Sequence, residues 1–314
     1  MKIVILDGYA LNPGDLSWDA LKNFGPVTYY DRTPTEAEAI QRIGDAEIVL
    51  TNKVPITESL LAACPSIRLV CVLATGYNVV DCQAARSRNI PVCNVPSYST
   101  EAVAQFTFAL LLELCNQVGL HNQSVHGGEW TSCPDFCYWK APLMELSSKT
   151  LGIIGYGRIG RTVAKIAAAM GMKVLTHSRT QHPGDSHVTL DDLLANSDVV
   201  TLHCPLFPET QGIINADTIA KMKDGAILIN TSRGPLIDEQ AVADALVQGK
   251  LRGAAVDVVS KEPIPGTSPL LTAPNSIITP HIAWAPLETR QRLLDCVISN
   301  IQGFIDGKPQ NVVN

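Results

Sequence analysis

The chain has 314 residues, of which 46% are hydrophobic and 17% charged. That length exceeds one ordinary core and allows two domains, each with a substantial apolar interior. Asp and Glu outnumber Lys and Arg by 30 to 24, which gives a formal net charge of -6 without a dense basic stripe. This composition excludes a fibrous or extensively disordered chain and argues against a nucleic acid as partner.

The N-terminus and the apolar segments favour a soluble, cytoplasmic protein with no membrane partner. MKIVILDG has a short apolar run before Asp7, which is typical of a first β-strand and too short for a signal peptide. The apolar stretch from Phe106 to Cys115 falls short of the roughly 20 residues that a membrane span needs.

The nine cysteines are an odd number spread over both halves, which fits reduced thiols better than a disulfide framework. Cys133 and Cys137 form one close pair, with His126 nearby. Their spacing matches no zinc pattern and a fourth ligand is missing, so we interpret them as loop thiols and expect no metal.

Two series of apolar runs predict two parallel sheets. From residue 1 to about 98, the runs KIVIL, Val27 to Tyr30, EIVL, RLVCVL and IPVCNV alternate with amphipathic stretches, as in a parallel α/β unit. From Lys149 onward, TLGIIG, MKVLTH, DVVTLH, AILIN, GAAVDV and SIITP are separated by helix-length segments. We therefore predict a second parallel sheet after the first.

Two helical segments are expected to connect these sheets. Helical spacing of apolar residues begins at Thr100, after N-cap candidates, and a last helix with an apolar face begins at Pro286. If the last helix packs on the first sheet, the domains are residues 1–99 plus 286–314, which bind the substrate, and residues 100–285, which bind a dinucleotide. A cleft would lie between them.

The segment HGGEWTSCPDFCYWKAPLMELSS follows the first of these helices. It contains glycines, prolines and aromatic residues and is long for a passive connection. The region 100–146 thus combines an apolar helix with an arm that has no evident core. We expect a second copy of the chain to bury both, which predicts a homodimer.

A glycine motif indicates a dinucleotide site. TLGIIGYGRIG places Gly155, Gly157 and Gly160 between an apolar strand and an amphipathic helix. Glycines there permit a tight turn and close approach of a pyrophosphate to the N-terminus of the helix. The alternative is a glycine-rich packing turn.

Further polar residues follow the later strands, at the sheet edge where open α/β sheets place their ligands. We expect cofactor contacts among them. In chain order they are Cys204, Pro205 and Thr210, then Thr231, Ser232 and Arg233, then Asp257 and Glu262, and finally His281 and Trp284.

Five segments follow one another in the order and spacing of a known family. They are ATGYNVVD, the glycine motif, NTSRGPLIDE, the EP after VDV, and PHIAW. In these segments, and over nearly the whole chain, the sequence strongly resembles the D-isomer-specific 2-hydroxyacid dehydrogenases, in particular their glycerate dehydrogenase and hydroxypyruvate reductase branch. The resemblance implies an α/β fold of two Rossmann-like parallel-sheet domains. It also implies an NAD(P)-dependent oxidoreductase that interconverts a small 2-oxo acid and its D-2-hydroxy acid.

The resemblance implies that Arg233, Glu262 and His281 form the catalytic set, and chemistry supports each role. A buried imidazolium at His281 would donate a proton to the carbonyl oxygen, and Glu262 would orient that ring and favour its charged form. Arg233 would bind the substrate carboxylate with a two-pronged guanidinium. Taken singly, each residue has a structural alternative: a surface salt bridge for Arg233, a turn before a proline for Glu262, and packing beside a proline for His281.

The resemblance also supports substrate binding by Thr75, Gly76 and Tyr77 after the strand RLVCV, where a plain turn is the alternative. Trp139 and Trp284 are candidates for lining the substrate pocket, although large aromatic residues are often packing anchors. The cofactor contacts implied by the resemblance are Thr75, Arg158, Ile159, Cys204, Thr231 and Asp257.

One departure concerns the coenzyme. Many family members carry an acidic residue after the second strand of the nucleotide domain, where it binds the ribose of NAD. Here the strand ends THSRT, with Ser178 and Arg179. An arginine can pair with a 2′-phosphate, so NADP(H) is favoured and NAD(H) remains possible. The alternative is an Arg179 that points into solvent.

The favoured function is reduction of hydroxypyruvate or glyoxylate. Another family activity, such as formate dehydrogenase, is one alternative, but formate oxidation needs no proton donor with a carboxylate partner. A non-enzymatic, dinucleotide-sensing protein of the transcriptional corepressor kind is the other, because it has the same fold.

Overall fold

The computed structural model describes residues 1–181 and 185–314. The chain forms two compact units, unit 1 (Met1–Ser99 with Trp284–Asn314) and unit 2 (Thr100–Ala283). Each contains one all-parallel sheet, so the predicted α/β class with two Rossmann-like sheets is confirmed. The second division falls after Ala283, two residues before the predicted position. Trp284 belongs to unit 1 because its ring packs against the core there and lies 6.4 Å from the Tyr98 ring, between centroids.

Unit 1 has a five-stranded sheet in the order β2-β1-β3-β4-β5. Its strands are almost uniformly apolar because a parallel sheet is covered on both faces. The strands β1 to β5 are Ile3–Ile5, Val27–Tyr29, Ile48–Thr51, Leu69–Val72 and Val92–Cys93. The helices α1 to α3 are Glu36–Ile43, Glu58–Ala63 and Cys82–Ser87. Each begins after an N-cap residue whose side chain accepts a hydrogen bond from a backbone N–H of the first turn; these residues are Thr35, Thr57 and Asp81.

The helices of unit 2 are α4 to α9. They span Thr100–Asn116, Val118–His126, Arg158–Ala169, Leu190–Asn196, Ala216–Lys221 and Glu239–Val247. The strands β6 to β11 span Thr150–Ile154, Lys173–His177, Val199–Leu202, Ala226–Asn230, Leu251–Val256 and Ser276–Ile278.

The six strands of unit 2 are arranged β11-β10-β9-β8-β6-β7. The chain moves from β6 to one side for β7 and to the other side for β8 and the later strands. This reversal is a topological switch point, and ligands of open α/β sheets bind outside the carboxyl ends of the strands there. The fold therefore directs attention to the loops that follow β6, β7 and β8.

The predicted crossing helix consists of two helices, α4 and α5, separated at Gln117, whose φ of 50° is left-handed. Nine residues of α4 are buried, and six of them belong to the core of unit 2. Within residues 1–181 and 185–314, no single helix is long and apolar enough to cross a membrane. The pair α4 and α5 meets that criterion only jointly, with a bend of 57°.

The last helix, α10, spans Leu287–Ile305 and follows Pro286 as its N-cap residue. Leu293, Leu294, Val297 and Ile301 of this helix are at most 1% exposed and pack in the core of unit 1. Arg290 is buried as well, and its guanidinium donates to both carboxylate oxygens of Asp15 at 2.7 and 2.6 Å. This two-pronged ion pair fixes the start of α10 against the loop after β1.

Short 3-10 helices complete the chain at Gly8–Ala10, Asp19–Phe24, Gly234–Leu236 and Pro269–Leu271. All nine cysteines lie in the described part of the chain and none is in a disulfide. Among the same residues, no group of three or more His, Cys, Asp or Glu side chains is placed to hold a metal ion.

Candidate active site

The three motif glycines lie between β6 and α6, and they serve different purposes. Gly155 has a φ of +98°, and a Cβ there would lie 2.3 Å from the Cys204 nitrogen. A Cβ on Gly160 would lie 2.3 Å from the Gly155 carbonyl oxygen. Both positions therefore need glycine for the fold itself. A Cβ on Gly157 would meet no atom within 4 Å, so this glycine keeps a space open that the protein does not fill.

Gly157 is the N-cap residue of α6, and no side chain in the described part of the chain caps this helix. The first turn contains no acidic residue and begins with Arg158 and Ile159. The backbone N–H groups of a helix N-terminus, the positive end of the helix dipole and the open space at Gly157 suit a pyrophosphate. The residues at this turn thus fit the dinucleotide that the motif predicts.

Cys204 lies just beyond β8, against the glycine turn. Burial raises the pKa of its thiol to about 11, so the group stays neutral and unreactive at physiological pH. Its carbonyl oxygen accepts a hydrogen bond from the Ser232 hydroxyl at 2.7 Å. Thr231, on the same loop after β9, has its hydroxyl 3.1 Å from that of Thr107 in α4. The hydroxyl groups of Ser232 and Thr231 thus already have hydrogen-bond partners within the protein. Their contact with a cofactor stays a prediction.

Thr210 closes a tight turn after Pro205. Its hydroxyl donates to the Pro205 carbonyl at 2.8 Å and accepts the Phe207 N–H at 2.8 Å. Sequence analysis placed both Pro205 and Thr210 among the cofactor contacts. The structure gives the Thr210 side chain a role in shaping the loop, and its cofactor contact also stays a prediction.

Ser178 and Arg179 follow β7 directly. The Ser178 hydroxyl donates to the Thr180 carbonyl. The Arg179 guanidinium carbon lies 5.4 Å from the centroid of the Phe207 ring, within the range of a cation–π contact. Phe207 was not singled out by sequence analysis. The available signal was an aromatic residue in the loop after β8, at the same sheet edge as the loop after β7 that contains Arg179.

His281 and Glu262 form a hydrogen-bonded pair. His281 Nδ1 lies 2.8 Å from Glu262 Oε2. The other carboxylate oxygen is 3.4 Å from the Val259 N–H, so the carboxylate is held on both sides. The His281 ring is 34% exposed and not buried as predicted, because it stands on a loop beyond the end of β11. Since Nδ1 faces the carboxylate, Nε2 is the nitrogen that the predicted proton transfer would use.

Asp257 fixes the loop that carries His281. Its buried carboxylate accepts the Thr279 hydroxyl at 2.6 Å and the N–H groups of Ile282 and Ala283, both at 2.8 Å. Within this turn His281 has a left-handed φ of 56°. Burial raises the pKa of Asp257 although the three hydrogen bonds lower it. This positioning role was missed by sequence analysis, which interpreted Asp257 as a cofactor contact.

Arg233 is exposed beyond β9. Its guanidinium donates to the Ser232 carbonyl at 2.7 Å and forms no ion pair with any described residue, which argues against the surface salt-bridge alternative. A Cβ on Gly234 would lie 2.0 Å from the Val259 carbonyl carbon, so the Arg233 loop packs directly on the segment that leads to Glu262. The structure thus brings these two predicted site residues onto touching loops.

The remaining predicted site residues lie in unit 1. The Thr75 hydroxyl donates to the Val95 carbonyl at 2.8 Å, which anchors the loop after β4. The N–H groups of Thr75, Gly76 and Tyr77 have no acceptor in the described ranges. Trp284 packs against Tyr98 and the core of unit 1, as the packing-anchor interpretation expects, and a contact with substrate stays a prediction.

The glycine turn and the His281–Glu262 pair define a dinucleotide-dependent oxidoreductase. Residues 108–283 match the model of the family "D-isomer specific 2-hydroxyacid dehydrogenase, NAD binding domain". The chain is 57% identical to a hydroxypyruvate reductase of Blautia hydrogenotrophica, over the full length of both proteins. It is 43% identical to a glycerate dehydrogenase of Methylorubrum extorquens, over 99% of this chain and 98% of the relative.

A solved structure of an acyclic imino acid reductase in complex with NADPH and D-Arg superposes with a TM-score of 0.86 and 32% identity, over the full length of both chains. The chain belongs to the D-isomer specific 2-hydroxyacid dehydrogenases. The full-length relatives are named as enzymes of 2-hydroxy acids, which favours that interpretation over formate dehydrogenase and over a corepressor-like protein.

The different constraints on two glycines provide a test of the dinucleotide site. Gly157→Ala should leave the melting temperature of the free protein unchanged, because its methyl group contacts no protein atom. It should weaken NADH and NADPH binding by about tenfold or more, because the methyl group fills space that the pyrophosphate needs. Gly160→Ala is the matched control and should lower the melting temperature by several degrees. Calorimetry and fluorescence titration measure both effects, and normal coenzyme binding by Gly157→Ala would contradict the assignment.

Proposed function

We propose that the protein reduces a small 2-oxo acid of the hydroxypyruvate or glyoxylate type to the D-2-hydroxy acid and catalyses the reverse oxidation. This proposal rests on the hydrogen bond between His281 Nδ1 and Glu262 Oε2, which are 2.8 Å apart. The pair lies beyond the strand ends of the same unit that contains the glycine turn. The names of the two full-length relatives, hydroxypyruvate reductase and glycerate dehydrogenase, support the substrate class.

A reduced nicotinamide, when bound, supplies the hydride. The carbonyl oxygen of the substrate gains negative charge as the hydride arrives, and a proton donor close to that oxygen lowers the barrier. His281 is positioned to donate this proton from Nε2. Glu262 stabilises the protonated ring through Nδ1 and keeps it from rotating. In the reverse direction, the same ring accepts the proton of the hydroxyl group.

Asp257 acts through His281. Because its carboxylate binds the turn from Thr279 to Ala283 on both sides of the histidine, it limits where the imidazole can go. We therefore assign it as a positioning residue for proton transfer, in addition to the cofactor contact that the family resemblance implies. Fixing a proton donor in advance lowers the entropic cost of reaching the transition state.

The proposed role of Arg233 is to bind the substrate carboxylate. Its guanidinium is exposed and free of carboxylate partners among the described residues, and its loop touches the Glu262 segment. Thr75, Gly76 and Tyr77, with their free N–H groups, are proposed as further substrate contacts, as is Trp284.

Arg233→Lys tests the carboxylate role. Lysine keeps the positive charge but loses the planar pair of donors, so kcat/KM for hydroxypyruvate should fall by about a hundredfold or more. Coenzyme affinity is the control and should not change. Near-normal kinetics would rule out a two-pronged contact.

The pair of His281 and Glu262 makes a prediction about pH. His281→Ala should nearly abolish reduction. Glu262→Gln should retain coenzyme binding, and the alkaline limb of its pH–rate profile should move to lower pH, because a neutral amide stabilises the imidazolium less than a carboxylate does. Steady-state rates of hydroxypyruvate reduction across pH measure this shift. If the two profiles coincide, Glu262 does not support the protonated ring.

We further propose that NADP(H) is used at least as well as NAD(H). No carboxylate follows β7 to bind the ribose hydroxyls of NAD and repel a 2′-phosphate. In that place Arg179 offers a guanidinium without an ion pair in the described part of the chain, between the hydroxyl-bearing residues Ser178 and Thr180. The acyclic imino acid reductase of similar fold, in complex with NADPH, supports a nucleotide site of this kind.

Arg179→Ala distinguishes a phosphate-binding arginine from one that points into solvent. If Arg179 binds the 2′-phosphate, the substitution should raise the KM for NADPH about tenfold or more and leave the KM for NADH nearly unchanged. Ser178→Asp should shift preference toward NADH. Initial rates with both coenzymes measure these effects, and an equal effect on NADPH and NADH would refute the proposal.

We propose a homodimer through the region 100–146. In the isolated chain, the arm after α5 exposes the large side chains of Trp130, Phe136, Trp139 and Leu143, at 51, 89, 69 and 53%. Single exposed apolar residues are ordinary, but a run of them in an arm without its own core is typical of an interface. A symmetric partner would cover the same arm on both copies.

Light scattering at micromolar concentration should give the mass of two chains. Phe136→Glu should shift the protein toward monomer, because it puts a charge into an interface that is expected to be apolar. Val247→Glu is the control, since Val247 is 70% exposed on α9, outside the proposed interface. A monomeric mass for the unaltered protein would rule out the dimer.

A further inference from the structure

Phe207 is an aromatic side chain without a role in the core. It is 41% exposed and belongs to none of the hydrophobic core clusters in the described part of the chain. Leu206 beside it is exposed to a similar extent, 38%. Single exposed apolar residues are ordinary, so the significance of Phe207 depends on how its backbone is held and what its ring contacts.

The backbone of Phe207 is held firmly. The Phe207 N–H donates to the Thr210 hydroxyl at 2.8 Å, and its carbonyl accepts the N–H groups of Thr210 and Gln211, both at 3.0 Å. The Thr210 hydroxyl also donates to the Pro205 carbonyl. These bonds fix the turn from Pro205 to Gln211, and therefore the direction in which the ring leaves the backbone.

The contact that the ring makes is with Arg179, whose guanidinium carbon lies 5.4 Å from the ring centroid. Within the described ranges this guanidinium has no carboxylate partner. A flexible arginine loses considerable side-chain entropy when it binds a ligand. An aromatic face beneath it restricts its rotamers beforehand and leaves its donors free, which a carboxylate would not do.

We propose that Phe207 is a positioning residue for NADP(H): its ring holds the Arg179 guanidinium in place for the 2′-phosphate. This inference rests on the proposed coenzyme preference and names a second residue that determines it. It differs from simple stacking of the adenine on Phe207, which would strengthen NADPH and NADH binding alike. Phe207 acts only where the 2′-phosphate is present.

Binding of two small probes, measured by isothermal titration calorimetry, tests the inference without turnover. Adenosine 2′,5′-bisphosphate carries the 2′-phosphate, and adenosine 5′-monophosphate lacks it. Phe207→Ala and Phe207→Leu should weaken the bisphosphate about two- to fivefold, the range of a cation–π contact at an exposed site, and leave the monophosphate unchanged. Phe207→Tyr, which keeps the ring, should restore binding.

Kinetics and a neighbouring substitution provide controls. Phe207→Ala should raise the KM for NADPH by the same factor without changing kcat or the KM for NADH. Leu206→Ala removes a similarly exposed apolar side chain that has no aromatic ring to offer Arg179, and it should be silent. An effect of Leu206→Ala equal to that of Phe207→Ala would indicate general loosening of the loop and overturn the inference.

A double-mutant cycle separates this inference from the coenzyme proposal. In an Arg179→Ala background, Phe207→Ala should have no further effect on the bisphosphate. If Arg179→Ala alone is not selective for the bisphosphate, the coenzyme proposal fails, and this inference fails with it. If Arg179→Ala is selective but Phe207→Ala is silent, or weakens both probes equally, only the role assigned to Phe207 is wrong.

Discussion

The buried carboxylate of Asp257 is the interaction on which the arrangement of the active site depends. It lies at the end of β10, is 1% exposed, and accepts three hydrogen bonds from the turn that follows β11. Desolvation raises the pKa of this group, so burying it opposes its charged form. The hydrogen bonds offset that cost only if the turn keeps its shape. The same shape gives His281 its left-handed backbone and presents its ring to Glu262.

The parallel sheet explains why residues far apart in sequence converge. Gly155 and His281 are more than a hundred residues apart and Arg233 lies between them in the sequence, yet each of the three follows the carboxyl end of a strand of one sheet. Because connections in a parallel sheet return the chain to the same edge, every strand end adds a loop to that edge. Close packing then fixes the loops against each other, as where Gly234 meets Val259.

Much of this could be predicted from sequence because the signals are local. Apolar runs gave both sheets, and the motif gave the glycine turn with its helix. Other features depend on tertiary contacts, which the spacing of residues in the sequence does not indicate. They are the exposure of His281, the packing of Trp284 on Tyr98, and the turn closed by Thr210. The contact of Arg179 with Phe207 joins the loops after two strands that are not sheet neighbours, so no motif contains both residues.

Burial determines the protonation states of His203 and Cys204, the two residues that follow β8. Beyond β8, burial lowers the pKa of His203 to about 3 and raises the pKa of Cys204 to about 11. Both groups are therefore uncharged throughout the physiological range. Neither side chain therefore adds a charge that changes with pH beside the glycine turn, against which Cys204 packs.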